Sequence, residues 1–491
     1  MSIITGFAEE IGILTLIRAS FDIHLLCFQR FIRMFAYGQV TIILALFFQD
    51  LGISQDKTGL FMTGTLLGDV VISFFLTLVA DRLGRRKILA GGAILMCMSG
   101  VTFSYASNYW VLLIAAIVGV ISPSGNEIGP FRAIEESTLA HLTDLKDRPD
   151  LYAWYSLLGS LGAALGTISS GWLVEKLQEG YSWSALQSYR VVFVLYSLIA
   201  IFKFVASIML SPLVELEQVP AEPKLDPTSA AERGSSSRPQ DSQGDSYAMR
   251  PLAKSNESSD SLTANNDDDT EELFEEMDQY SQAPKKRSKW LFWVDYLPQL
   301  TPNSRRVVLQ LVLLFSLDSF GSGIATQSWL SYYFAERFAV KEGALGSLFF
   351  VTNLISAASS IVASSISKRL GPIVTMVATH LPSSIVLAVL GFPPQQSVAM
   401  ILLIVRSCTA SMDVAPRQAF LSSIVTKEER TSVMGVVNVV RTLAQSGGPG
   451  LMGKFASMNM MPIGFLIAGL CKGGYDLGIL ASFLGTQLHN N

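Results

Sequence analysis

The chain has 491 residues, of which 50% are hydrophobic and only 15% charged, with a formal net charge of −4 and a mean hydropathy of +0.40. Soluble domains carry about 25% charged residues, so an ordinary soluble globular protein is excluded. The net charge itself says little, because acids and bases sit in different places; no nucleic-acid partner is expected. The cysteines, at 27, 97, 408 and 471, are far apart and mostly inside apolar runs, so they form neither a metal-ligand spacing nor a disulfide framework.

Residues 1–27 read as a short amphipathic cytoplasmic lead. Glu9, Glu10, Arg18 and Asp22 fall where a cleavable signal would need a basic start and a small-residue site, so none is expected. Six runs of membrane length follow, near 28–49, 58–80, 88–107, 109–132, 150–174 and 190–210, forming one bundle over 28–211. Residues 212–303 change character: Ser, Asp, Glu, Pro and Asn dominate, with Asp267-Asp268-Asp269-Thr270-Glu271-Glu272 as the most acidic stretch. Such a segment cannot bury enough apolar surface to fold, which predicts a disordered acidic linker. A cytosolic partner or kinase acting there is a further expectation. A second bundle occupies 304–485, with runs near 306–334, 344–367, 373–391, 397–419, 430–455 and 461–484, and 486–491 is a short tail. The fold class is thus all-α integral membrane, twelve transmembrane helices in two six-helix bundles.

Bases sort the loops by side. One set holds Arg82, Arg85, Arg86, Lys87, Lys146, Arg148, Lys368, Arg369, Lys427 and Arg430, and the linker flanks add more; the opposite set holds chiefly Lys57, Lys176, Arg337 and Lys341. Both termini and the linker are therefore expected in the cytoplasm, with the chain in a plasma, vacuolar or other organelle membrane. An internal repeat agrees with two halves: Arg82-Leu83-Gly84 recurs as Arg369-Leu370-Gly371, and Pro130-Phe131-Arg132 as Pro416-Arg417.

Asp81-Arg82-Leu83-Gly84-Arg85-Arg86, lying between the second and third runs, resembles the loop signature of the major facilitator superfamily. Ser122-Pro123-Ser124-Gly125-Asn126-Glu127, Asp318-Ser319-Phe320 and Met412-Asp413-Val414-Ala415-Pro416-Arg417-Gln418 look like a poorly characterised microbial and fungal branch of it. Two departures stand out. Thr77 replaces the glycine that opens the family loop, and the fifth run has glycines at 159, 162, 166 and 171 but lacks the Gly-Pro pair of the family's drug–proton antiporters. The resemblance implies a substrate path between the halves and alternating access. It also implies a cytoplasmic latch. Asp81 would sit at the N-terminus of the eleventh span, and Arg85 and Arg86 would reach Glu135 and Glu136, holding an outward-open state.

Charges inside spans are costly, about 2.5–3.5 kcal/mol each at mid-helix. Asp69 is read either as a proton or ion site or as a satisfied polar residue. Glu127 with Arg132, and Asp413 with Arg417, are spaced for pairing along one helix, as a proton switch or as structural ion pairs. Arg406, Asp413 and Arg417 form a charged stripe; Arg406 suits an anionic or carboxylate-bearing solute or, equally, a salt bridge to Asp318. Asp318 is the first choice for a coupling carboxylate, because the seventh span lines the path in the family. Gln327 can bind solute or a neighbouring helix. Arg441 lies midway along the eleventh run, and Lys472 and Asp476 are spaced to neutralise each other. His380 reads as a lone packed histidine.

No phosphate loop, metal cluster or nucleophile–base motif is present, so neither an enzyme, a cofactor nor ATP-driven pumping is expected. The reading is a transporter of a small-molecule substrate, coupled to protons, in the lipid bilayer. The alternatives are a uniporter, a non-transporting receptor signalling through the linker, and a membrane enzyme or lipid-moving protein.

Overall fold

This computed structural model describes residues 12–119, 121, 130–144, 146–215, 302–414, 416–417, 420–421 and 430–488. The chain divides into two units, Met1–Leu216 with Pro298–Asn491, and Glu217–Leu297. The second unit, and with it nearly all of the expected linker, lies outside the described residues.

The first unit is helical throughout its described residues. A short α1 (Ile13–Arg18) precedes α2 (Phe21–Asp50), α3 (Gln55–Leu83), α4 (Arg85–Tyr105), α5 (Tyr109–Val118), α6 (Pro130–His141), α7 (Arg148–Tyr181) and α8 (Ala185–Ile208). After the break come α9 (Pro302–Ile324), α10 (Gln327–Phe338), α11 (Glu342–Leu370), α12 (Pro372–Val389), α13 (Gln396–Ser407), α14 (Arg430–Ser457) and α15 (Met461–Leu488). Among the described residues, eight helices are long and apolar enough to cross a membrane, one of them running from Val307 to Phe338 through α9 and α10. The runs expected at 109–132 and 397–419 correspond to the shorter apolar helices α5 and α13 and the residues after them.

Local chemistry sets the helix starts. Asn108 accepts from the Trp110 and Val111 N–H groups to begin α5, and Ser184 and Gln187 form a reciprocal capping box at α8. Thr326 caps α10, separating it from α9. The repeated tripeptide has a conformational reason: Gly84 (φ 93°, ψ 135°) and Gly371 (φ 80°, ψ 160°) make the same turn into the next helix, in a region of φ open chiefly to glycine.

Large apolar side chains cover the outside: Trp110, Ile114, Phe202 and Leu313 are each more than 60% exposed. A surface this apolar suits hydrocarbon rather than water. Inside, Phe47, Phe48, Phe61, Phe103 and Phe193 interlock with ring centroids 4.4 to 6.2 Å apart. The α2 helix begins at Phe21, earlier than the run at 28, and Leu25, Leu26 and Cys27 are buried. Pro212–Val214 forms a single 3-10 turn whose Val214 is buried, so the start of the expected linker is part of the folded unit.

Candidate functional site

Each half holds a buried carboxylate gripped by two cations, and the two clusters use corresponding elements. In the N-terminal half Glu135 of α6 accepts from both guanidinium nitrogens of Arg33 of α2, at 2.5 and 2.8 Å. It also accepts from Lys203 of α8 at 3.2 Å and from the Tyr155 hydroxyl at 2.6 Å. Arg33 and Lys203 both lie over the Phe131 ring, at 5.4 and 4.9 Å. In the C-terminal half Asp318 of α9 accepts from Lys472 of α15 at 2.6 Å and from Arg417 at 3.0 Å. Arg417 and Arg441 both lie over Phe315. The first, fourth and last apolar segments of each half supply the triad, but the sign is exchanged. The first segment carries the cation in one half and the anion in the other.

These clusters revise the pairing read from spacing. Glu135 is wholly buried against Arg33 and Lys203, so it is no partner for a loop arginine. Glu136 pairs instead with Arg132, four residues before it. Arg85 donates to the Ser137 hydroxyl and Arg86 to the Ile208 carbonyl. Glu215 receives the Arg85 and Arg86 backbone N–H groups at 2.6 and 3.1 Å, holding a carboxylate at the N-terminus of α4 where the helix dipole favours it. The side chains of Asp81 and Arg82 and the whole of Glu127 lie outside the described residues.

Asp413 and Arg417 do meet, at 3.3 Å, as the four-residue spacing predicts. Lys472 and Asp476 do not: Lys472 is spent on Asp318, and Asp476 accepts from His380 at 2.8 Å. His380 is therefore no lone packed histidine. Asp318 takes Arg417 and Lys472 as its partners rather than Arg406, whose Nε is buried with no hydrogen-bond partner among the described residues. Gln327 Nε2 is likewise buried and has no hydrogen-bond partner among the described residues. Asp69 is buried and accepts only a 3.4 Å hydrogen bond from Ser73, with no cation paired to it among the described residues. Arg441 donates to the Ser319 hydroxyl. Arg33 and Lys203 escaped sequence reasoning, although each is a charge inside an apolar run and could have been found by that rule.

Among the described residues, the two halves join at one end, that of the 51–54 and 182–184 turns. Gln49 donates to Glu336, Gln55 to the Tyr332 hydroxyl and Ser457 to Asp56. Glu342 receives Gln178 and Tyr189, and Lys341 pairs with Glu179. The helices touch closely there. A Cβ on Gly171 of α7 would meet the Glu342 carbonyl and Gly346 of α11, and one on Gly59 of α3 would meet Pro449 and Gly453 of α14. Gly84 belongs to the opposite end of α3 and α4. The outward-open arrangement expected from a closed latch at the Gly84 end is thus not the one this structure adopts.

This all-helical, lipid-faced unit with charged groups buried in two facing halves is an integral multi-pass membrane protein of transporter architecture. The model of the Major Facilitator Superfamily matches residues 26–449, and the chain belongs to that family as a membrane transporter. It is 35% identical over 471 residues to the uncharacterised membrane protein YJR124C of Saccharomyces cerevisiae, covering 96% of this chain and 95% of that one. It is 25% identical over 189 residues to the quinolone resistance protein NorA of Staphylococcus aureus, covering 38% of this chain and 45% of that protein. Its fold resembles that of a solved D-xylose–proton symporter, with a TM-score of 0.62 at 14% identity, covering 94% of this chain and 97% of that one.

Proposed function

We propose that this transporter carries a small anionic or zwitterionic solute by alternating access, driven by a proton gradient. The observation that carries the reading is the contrast between paired and unpaired charge. Six buried ions are held in two triads, whereas among the described residues Asp69 in one half has no paired cation and Arg406 in the other has a buried Nε with no hydrogen-bond partner. A bare charge in an apolar helix costs about 2.5–3.5 kcal/mol unless a partner, a ligand or water meets it, so one kept there marks a binding position. A carboxylate without a cation is suited to binding a proton, and a guanidinium without an anion to binding a carboxylate. Gln327 adds an uncommitted donor.

In the orientation proposed from loop bases, the joined end faces away from the cytoplasm, so this arrangement corresponds to the inward-facing state. Asp81 and Arg82 would act in the alternate state, with Gly84, Arg85 and Arg86 positioned by Glu215 rather than by Glu135 or Glu136. Asp318, Asp413, Arg417 and Arg441 would set the geometry around Arg406, and Arg132 would remain a surface residue paired to Glu136.

The test is a panel assay. Purified full-length protein is placed in liposomes holding a pH-sensitive dye. A monocarboxylate, a dicarboxylate, an amino acid, a nucleoside and a pentose are offered in turn, with and without a pH gradient. Proton flux evoked by a carboxylate-bearing solute supports the reading. Movement of only a neutral solute, indifferent to the gradient, overturns it in favour of uniport. A receptor acting through residues 217–297 would be marked by transport-silent protein whose cellular output is lost when that segment is deleted.

A further inference from the structure

We propose that His380 and Asp476 form a second proton-binding site of this transporter, beside Asp69, with Lys472 as the charge that moves when the proton leaves. The inference rests on the proton-coupled reading above and adds to Asp69 a site on α12 and α15 that the charge stripe does not include.

The geometry is specific. His380 Nδ1 lies 2.8 and 3.0 Å from the two Asp476 oxygens. A carboxylate accepts only, so Nδ1 is the donor, and Nε2 is left on the other edge of the ring. That edge faces Asp318, with Nε2 3.7 Å from Oδ1. The imidazole thus stands between two carboxylates. Ser384 donates to Asp476 at 3.1 Å and completes its described partners; among the described residues no Arg or Lys reaches it. The other titratable or charged neighbours are few. Tyr475 of α15 packs edge-on to the ring at 5.8 Å, and Lys472 and Arg417 approach through Asp318. The α13 helix, packed beside α12, contributes Arg406, and α11 offers no ionisable residue between Glu342 and Lys368.

Both His380 and Asp476 are buried, Asp476 completely. With one proton on Nε2 the pair is an imidazolium and a carboxylate, neutral as a unit. When that proton leaves, the unit is a bare carboxylate in a low-dielectric interior, which is expensive. A remedy lies one turn away. Lys472 and Asp476 are four residues apart on α15, the spacing at which a lysine reaches a carboxylate. In this structure Lys472 is bound to Asp318 of α9. Moving it to Asp476 would leave Asp318 to Arg417 and slacken the tie between α9 and α15. The α9 segment runs on into α10, whose Ser328 bonds the Thr41 carbonyl of the opposite half. Proton loss at His380 is thereby linked to the seam between the halves.

The test reads the ring directly. The chain has four histidines, of which His24 and His141 are exposed and serve as internal controls. Full-length protein carrying isotope-labelled histidine is placed in lipid nanodiscs, and the imidazole nitrogen resonances are followed from about pH 4.5 to about pH 9. His380, assigned by His380→Gln, is expected to change protonation state in this window. Asp476→Asn is expected to displace that transition by about one pH unit or more, with His24 and His141 unmoved. Lys472→Met, which removes the moving charge without touching the ring, should also displace it. A His380 ring that holds one protonation state throughout, or a transition indifferent to both variants, overturns the proposal. Because the readout needs no solute, it is separate from the liposome assay. Carboxylate-evoked proton flux with a silent His380 would sink this site and leave the coupled reading standing. A titrating His380 without any such flux would sink the coupled reading instead.

Discussion

Arg33 and Glu135 face each other in a two-pronged ion pair, with neither side chain exposed. Lys203 shares the same carboxylate, so one anion balances two cations. Losing one partner of a buried pair leaves an uncompensated charge, at a cost of about 3–5 kcal/mol. Glu135→Gln should therefore sharply reduce the melting temperature and the yield of full-length protein, because it strands both cations. Lys203→Met should be milder, since the two-pronged pair survives. Equal melting of Glu135→Gln and the parent protein would refute this account.

The loop between α3 and α4 is anchored by a residue far along the chain. Glu215 takes two backbone N–H groups at the start of α4, and Gly84 supplies the positive φ that lets the turn form. Glu215→Ala should cost about 1 kcal/mol, the usual value of a helix N-terminal cap. It should also speed amide exchange at Arg85 and Arg86, read by hydrogen–deuterium exchange mass spectrometry. Gly84→Ala should cost about 1–3 kcal/mol through backbone strain.

The seam is a test of rocking. Gly171 and Gly346 let α7 and α11 touch, so a larger side chain must hold the halves apart. In a variant carrying Gln49→Cys and Glu336→Cys, whose parent side chains meet through their tips, a bifunctional thiol reagent should form a cross-link between the halves. Adding Gly171→Leu should lower its yield severalfold while the protein still elutes as a folded species. An unchanged yield would mean that contact at these glycines is not required for closure.

Arg406 and Arg417 should behave oppositely. Arg417 is bonded to Asp318 and lies against Asp413, so Arg417→Gln should cost about 3–5 kcal/mol in stability. Arg406 Nε has no hydrogen-bond partner to lose, so Arg406→Gln should leave melting nearly unchanged. In the liposome assay it should weaken carboxylate-bearing solutes by about tenfold, equivalent to about 1.4 kcal/mol. A destabilised but fully active Arg406→Gln protein would reverse the two assignments.

Much of the architecture was legible because apolar length is a local property. The long apolar runs appear as helices, and the repeated Arg-Leu-Gly tripeptide appears as two turns of matching conformation. Pairing within one turn was also legible, as Asp413 with Arg417 shows. Pairing across helices was not. Lys472 passes over Asp476, its neighbour on the same helix, for Asp318, which lies 154 residues away in sequence. Glu135, expected with Glu136 to meet the loop arginines, turns inward to Arg33, 102 residues earlier.

The sequence by itself determined that this chain must live in lipid, in two related halves, with charges inside apolar runs that each need a partner or a ligand. Hydropathy, glycine placement and charge cost act residue by residue, and so they are written in order along the chain. Only the tertiary structure decided which charges neutralise which, that His380 stands between two carboxylates, and at which end the halves meet. Electrostatic partnership depends on distance in space, and helix packing brings together residues that no spacing rule connects.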